Sequence, residues 1–234
     1  MPEPKLLAFD TSTDVLSVAV RHGARIVAHS GVGGAQASST LIPLIRRLLA
    51  EADLTLAELD AIAFGRGPGS FTGLRTACAV AQGLGFGAGV PLLPIDTLRA
   101  VADEARQRFG AERVVALLDA RMDQVYAAHY AFDVDDPTAA VPALLAPEQV
   151  DVPDGWALAG NAFAAYGERL PGGTARHAVL PTAEALLRLA PALLAAGGAV
   201  APADAWPLYV RDKVAQTTEE RAALKAAAAS AATL

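Results

Sequence analysis

The sequence predicts an α/β layered fold, and three observations carry that prediction. Short apolar runs suited to buried strands alternate with segments of helical period. The first half reads βββαβαβα, with short connections between the elements. From Arg113 the strands and helices begin again, as an architectural repeat with no readable sequence repeat.

The elements follow in order. "KLLAFDTS" is a buried strand running into polar turn formers. "DVLSVAVRHGARIVAHSG" reads as two strands with a turn at His22-Gly23. From Ser38 to Glu51 the period becomes helical, with Ser38 or Ser39 as cap and Pro43 in the first turns. Leu41, Ile42, Leu44, Ile45, Leu48 and Leu49 share one stripe of that helix, opposite Arg46 and Arg47. "LDAIAFG" is a fourth strand, followed by the glycine-rich "GRGPGSFTGLR" and a helix from Thr72 to Gly87. "VPLLPI" is a strand, and "DTLRAVADEARQRF" a helix with Asp96 as its cap. In the second half "RVVALLDA", "QVYAAHYAF" and "ALLAPEQV" are strands, and "GWALAGNAF" is a strand entering a helix. "TAEALLRLAPALLAAG" is a helix that Pro191 is expected to kink or shorten. "WPLYVRDKVAQT" reads as an ordered apolar segment, and "AALKAAAASAATL" as a frayed helical tail.

Composition narrows the function classes. The 234 residues are 53% hydrophobic and 19% charged, which predicts a folded globular protein. The net charge of −6, with no basic block, argues against a chain that grips nucleic acid alone. Cys78 is the single cysteine, so no internal disulfide forms and a reducing compartment fits. No signal peptide or membrane span is expected, and the chain reads as cytoplasmic. Only Lys5, Lys213 and Lys225 are lysines, so the central body has none to clamp a phosphate.

Two motifs bear on chemistry. "FDTSTD" resembles the first turn of actin-like kinases and ATPases, but Thr11-Ser12 stand where a glycine usually lets a phosphate approach. The same residues also read as a turn whose side chains bond local amides. The glycine loop sits between a strand and a helix, the context of an anion site, with Gly67, Gly69, Ser70, Thr72 and Arg75 as candidate nucleotide-binding residues. It lacks the lysine of a P-loop, and a purely structural turn fits it equally well. His22, His29, His129 and His177 show no metal-ligand spacing, so no metal site is expected. Asp119, Arg121, Asp123 and Tyr126 form either a polar patch facing a cleft or a hairpin tied by an Asp–Arg pair.

"LLAFDTSTDVLSVAV", "GRGPGSFTGLR" with "AQGLGFG", "DARMDQVY" and "PLYVRDKVA" occur in the order found in the bacterial TsaB (YeaZ) family, and the chain resembles that family over nearly its whole length. The resemblance implies a two-lobed actin/Hsp70/sugar-kinase-like fold, with lobes at 1–108 and 109–234 and a C-terminal segment returning toward the lobe interface. It implies a non-catalytic subunit in the synthesis of threonylcarbamoyladenosine on tRNA. The partners would be the catalytic paralogue TsaD and the ATPase TsaE, with tRNA met indirectly through the complex. No cofactor would be required, although weak ATP or ADP binding is compatible, and the free chain would be able to form a homodimer. An active ATPase or kinase of the same fold is the competing reading. Ala37 stands where many members carry a histidine, so any role of that histidine is absent here.

The partner surface expected from these readings joins two helices. The apolar stripe of Leu41, Leu44, Ile45 and Leu48 is wider than the roughly 100° needed to face one sheet. Thr76, Ala77, Val80 and Gly83 on the next helix are small enough for another helix to approach.

Overall fold

The computed structural model describes residues 4–133 and 140–211. The first half contains β1 (Leu6–Asp10), β2 (Val15–His22), β3 (Arg25–Val32), α1 (Ala37–Glu51), β4 (Ala61–Gly67), α2 (Phe71–Ala88), β5 (Leu92–Asp96) and α3 (Thr97–Phe109). The second contains β6 (Arg113–Arg121), β7 (Gln124–Ala131), β8 (Ala143–Leu145), β9 (Ala157–Gly160), α4 (Phe163–Tyr166), β10 (Arg176–Ala178) and α5 (Ala183–Ala195).

Each half builds a five-stranded sheet, ordered β3-β2-β1-β4-β5 and β8-β7-β6-β9-β10. In both, the first strand of the half is central, antiparallel to its hairpin partner and parallel to the strand that follows the crossover. The architectural repeat is therefore real at the level of strand order. The halves differ where the first has α1: the second has only the one-turn helix Pro147–Gln149.

The strands are buried because helices cover them. α1 and α2 lie on one face of the first sheet, where Leu41, Ile45, Leu48, Ala77 and Ala81 meet Leu7, Phe9, Val18 and Val20. The opposite face carries Leu6, Ala8, Ala19, Ala61 and Ala63, and it is covered by α5 through Ala183, Leu186, Leu187 and Ala190. Small residues at this contact let helix and sheet approach closely. α3 makes the reciprocal crossing: Leu98, Val101, Ala102 and Ala105 pack on Val114, Ala116 and Leu118 of the second sheet. Each half thus lends a helix to the other half's sheet. A polar clasp fastens the two helices: Arg188 Nε donates to Asp103 at 2.6 Å and its Nη2 to Glu104 at 2.7 Å.

Several local expectations are corrected. The β2–β3 turn is Gly23-Ala24, one residue later than expected. α1 starts at Ala37 behind a short 3₁₀ turn, and Ser39 Oγ donates to the Gln36 carbonyl rather than accepting from an amide. Asp96 occupies the cap position of α3, yet its carboxylate accepts from Arg66 Nε at 2.6 Å and caps nothing. Pro191 does not end α5, which continues to Ala195 with its apolar face held on the first sheet. Residues 212–234, including the tail read as helical, lie outside the described residues. No helix among the described residues is long and apolar enough to cross a membrane.

Candidate functional site

The β1–β2 turn and the glycine loop meet because β1 and β4 are parallel neighbours. Their C-terminal ends therefore lie side by side, where open α/β sheets place ligands. Here the chain fills that place with itself. Ser70 N donates to the Ser12 carbonyl at 2.7 Å, and Thr11 Oγ1 donates to the Gly73 carbonyl at 2.7 Å. A methyl on Gly69 would lie 2.6 Å from Ser12 O, and one on Gly73 would lie 1.9 Å from Thr11 O. These glycines permit backbone to pack on backbone, so their role is close approach within the protein.

Asp10, at the end of β1, is wholly buried. Its Oδ1 accepts from Ser12 N at 2.8 Å and Ser12 Oγ at 2.6 Å. Thr97 Oγ1 donates to Oδ2 at 3.4 Å and accepts from Gly67 N at 3.2 Å. Burial pushes the carboxyl above its ordinary range, and the hydrogen bonds only partly oppose this. Asp10 is thereby a pin joining β1, the glycine loop and α3.

Beside this pin, between the two sheets, lies a cavity of about 340 Å³. Its near wall is the start of α2, and its far wall is the β6–β7 hairpin. The hairpin is unusual: Arg121, Met122 and Asp123 have φ of 60°, 55° and 57°, three successive non-glycine residues in the left-handed region. Arg121 contacts Asp119 at 3.1 Å and, across the cavity mouth, Asp14 at 3.4 Å. Both expectations for this motif therefore hold together: the hairpin is tied by an Asp–Arg pair, and it faces the cleft.

A strap from the second half forms the third wall. Leu208 N donates to the Arg66 carbonyl at 2.7 Å. Tyr209 packs on Phe71 with ring centroids 5.5 Å apart and accepts from Arg75 Nε at 3.2 Å. Arg211 Nη2 donates to the Ala120 carbonyl at 2.8 Å. Asn161 also reaches the cleft, where its Oδ1 accepts from Asp119 N at 2.8 Å. The return of the C-terminal segment toward the lobe interface was expected from the family resemblance, but Tyr209 and Arg211 were not singled out within it; for Asn161 the one hint was a polar residue closing an apolar strand at Gly160-Asn161.

The predicted nucleotide residues scatter. Gly67 and Gly69 bond or pack inside the pin, and Ser70 borders the cavity. Thr72 points to solvent, and Arg75 lies over the Phe71 ring at 3.8 Å, tied to the strap. The predicted partner stripe is largely consumed by the protein's own core. Leu41, Ile45 and Leu48 are at most 2% exposed, Ala77 is fully buried, and Leu44 is nearly so. Thr76 and Val80 remain half-buried and Gly83 exposed, with Ile42 of α1 also open to solvent.

Two sheets with one strand order repeated, and a cleft between them faced by a hairpin from each, define a two-lobed α/β protein of the actin-like class. Comparison with known proteins sharpens this. Residues 29–218 match the family model of TsaD, tRNA N6-adenosine threonylcarbamoyltransferase. The chain is 34% identical over 222 residues to the tRNA threonylcarbamoyladenosine biosynthesis protein TsaB of Escherichia coli, covering 90% of this chain and 96% of that one. It is 46% identical over 121 residues to TsaB of Haemophilus influenzae, covering 52% of this chain and 51% of that one. The solved structure of YeaZ from Pseudomonas aeruginosa superimposes with a TM-score of 0.81 at 42% identity, covering 88% of this chain and 99% of that one. The chain belongs to the TsaB (YeaZ) family, related to TsaD.

Proposed function

We propose that this chain is a non-catalytic subunit for threonylcarbamoyladenosine formation on tRNA, supporting a TsaD-type transferase. One observation carries the reading: the Asp10–Thr13 turn occupies the face of the glycine loop where a phosphate would need to sit. A cradle filled by its own backbone offers no room for the charge of a transferring group, and the sealed Asp10 cannot reach solvent to orient a metal-bound water. The chain needs no nucleotide of its own, and its contact with tRNA runs through the complex.

The partner face is the solvent side of α1 and α2, with Ile42, Thr76, Val80 and Gly83. The TsaD paralogue would lay its corresponding helices there, and TsaE would join the pair. A second copy of this chain competes for the same face when the paralogue is absent. Val80→Asp is the decisive variant, because Val80 is only partly buried, at the margin of the first core, whereas Leu44 lies within it. It should abolish capture of the paralogue while leaving the thermal transition in place. Leu44→Asp is a poor test, since Leu44 belongs to the core and its loss unfolds the lobe. Unchanged affinity in Val80→Asp moves the interface elsewhere. ATP turnover of ~1 per second or faster by the purified chain favours an active ATPase of the same fold.

A further inference from the structure

We propose that β3 is a self-docking edge: two copies of this chain pair along it, antiparallel about a twofold axis, and join their first sheets. β3 closes one side of the first sheet and has only β2 as a neighbour. The opposite edge is covered, because Leu92 of β5 exchanges backbone bonds with Val200. β3 has no such cover, and most of its residues are exposed. It also lacks the features that keep an edge from pairing. Its 8 residues run without proline or bulge, and Arg25, its one formal charge, stands at the first position and contacts Asp53 at 3.2 Å.

The phase of the ladder says which groups are free. Gly33 N donates to the Asp14 carbonyl at 2.9 Å, so in this antiparallel pair Arg25, Val27, His29 and Gly31 bond toward β2. The amides and carbonyls of Ile26, Ala28, Ser30 and Val32 point outward, and they meet no backbone partner among the described residues.

That outward set is self-complementary. A twofold axis at His29 sets Ile26 against Val32 of the second copy, and Ala28 against its Ser30, with each pair exchanging both backbone bonds. The two exposed apolar side chains, Ile26 at 43% and Val32 at 72%, then cover each other. Sliding the register by one pair either way puts one of them opposite a residue outside the strand, so the apolar match fixes the alignment. An unrelated strand would satisfy the backbone without this match. The contact shares no residue with the α1–α2 face and does not rest on that reading.

The test follows amide exchange of the full chain over a dilution series, with sedimentation to read its mass. Exchange at Ile26, Ala28, Ser30 and Val32 should slow as concentration and dimer fraction rise. Ala28→Pro removes an outward amide and leaves the β2 ladder intact, so it should weaken this dimer about tenfold or more. Val80→Asp should leave the β3 protection as it is. His29→Cys puts a thiol on the axis, in a close non-bonded pair whose spacing suits a disulfide. With oxidised glutathione added, that variant should form a covalent dimer, whereas Ile26→Cys, which faces Val32, should not; Cys78 is buried and does not compete. The covalent readout serves even where the proline variant fails to fold. The proposal is overturned if the β3 amides exchange at one rate at every concentration, or if Ile26→Cys cross-links as readily as His29→Cys. It is equally overturned if the protection survives in folded Ala28→Pro or vanishes in Val80→Asp.

Discussion

Asp10 shows how far a single residue can depart from its usual state. It is fully enclosed, and the groups that touch it are two hydroxyls and one amide, with no cation among them. Its folded pKa lies above the ordinary aspartate range, with desolvation as the largest cause. A carboxyl raised in the folded state contributes most when protonated. That contribution is complete below the unfolded pKa and fades as pH rises through the folded one. Asp10→Asn should therefore gain stability relative to the parent as pH goes from about 4 to 7, read from denaturation midpoints at each pH. A constant difference across that range would show that ionisation costs nothing at this site. The sequence revealed "FDTST" as a polar turn, because its residue types bond local amides. That the turn would also plug the glycine loop was not legible, since it depends on the parallel pairing of β1 with β4, 51 or more residues apart in the chain.

At the scale of elements, the two faces of α2 make opposite demands on glycine. Gly73 meets the Thr11 carbonyl, whereas nothing lies within 4 Å of a methyl on Gly83. Gly73→Ala should cost about 3 kcal/mol, the upper range for overpacking. Gly83→Ala should add up to about 1 kcal/mol of monomer stability through helix propensity. Calorimetry on both variants checks this pair. If Gly83→Ala also weakens capture of the paralogue, a partner helix lies close to α2, as proposed. The helical period of α1 was readable from its apolar spacing. What the spacing did not disclose was how much of the stripe the first sheet would cover. A wheel gives the angle of each side chain, whereas coverage depends on the curvature and reach of the sheet beneath it. Ile42 stayed outside and Leu48 went in, though both belong to the same apolar stripe.

In the whole molecule, the exchange of α3 and α5 makes the two lobes one structure. The Arg188 clasp sits at that exchange, with Asp103 and Glu104 nearly buried on the other side. Removing the cation in Arg188→Ala leaves two enclosed carboxylates facing each other, at a cost of about 3 kcal/mol. Burial already pushes Asp103 upward while Arg188 holds it down. Without the arginine it should take up a proton more readily, so the penalty at pH 7 should shrink near pH 4.5. Urea unfolding at the two pH values measures the difference, and an equal loss at both would place the stabilisation in the packing of the arginine stem. The order of strands and helices was legible in the sequence, since periodicity is local. The exchange was not, because nothing in "TAEALLRLAPALLAAG" says which sheet its apolar side will choose. The exchange also has a consequence for biogenesis. The five strands of the first sheet are complete at Asp96, but the helix that seals their second face begins only at Ala183. On a ribosome that interval is about 90 residues, roughly 5–18 s of synthesis, during which the newborn chain shows Leu6, Ala8, Ala61 and Leu93 to the cytosol or to a chaperone. Residues 1–110 produced alone should therefore be recovered mainly as aggregate. Co-production of a peptide spanning residues 180–197 should return part of that fragment to solution.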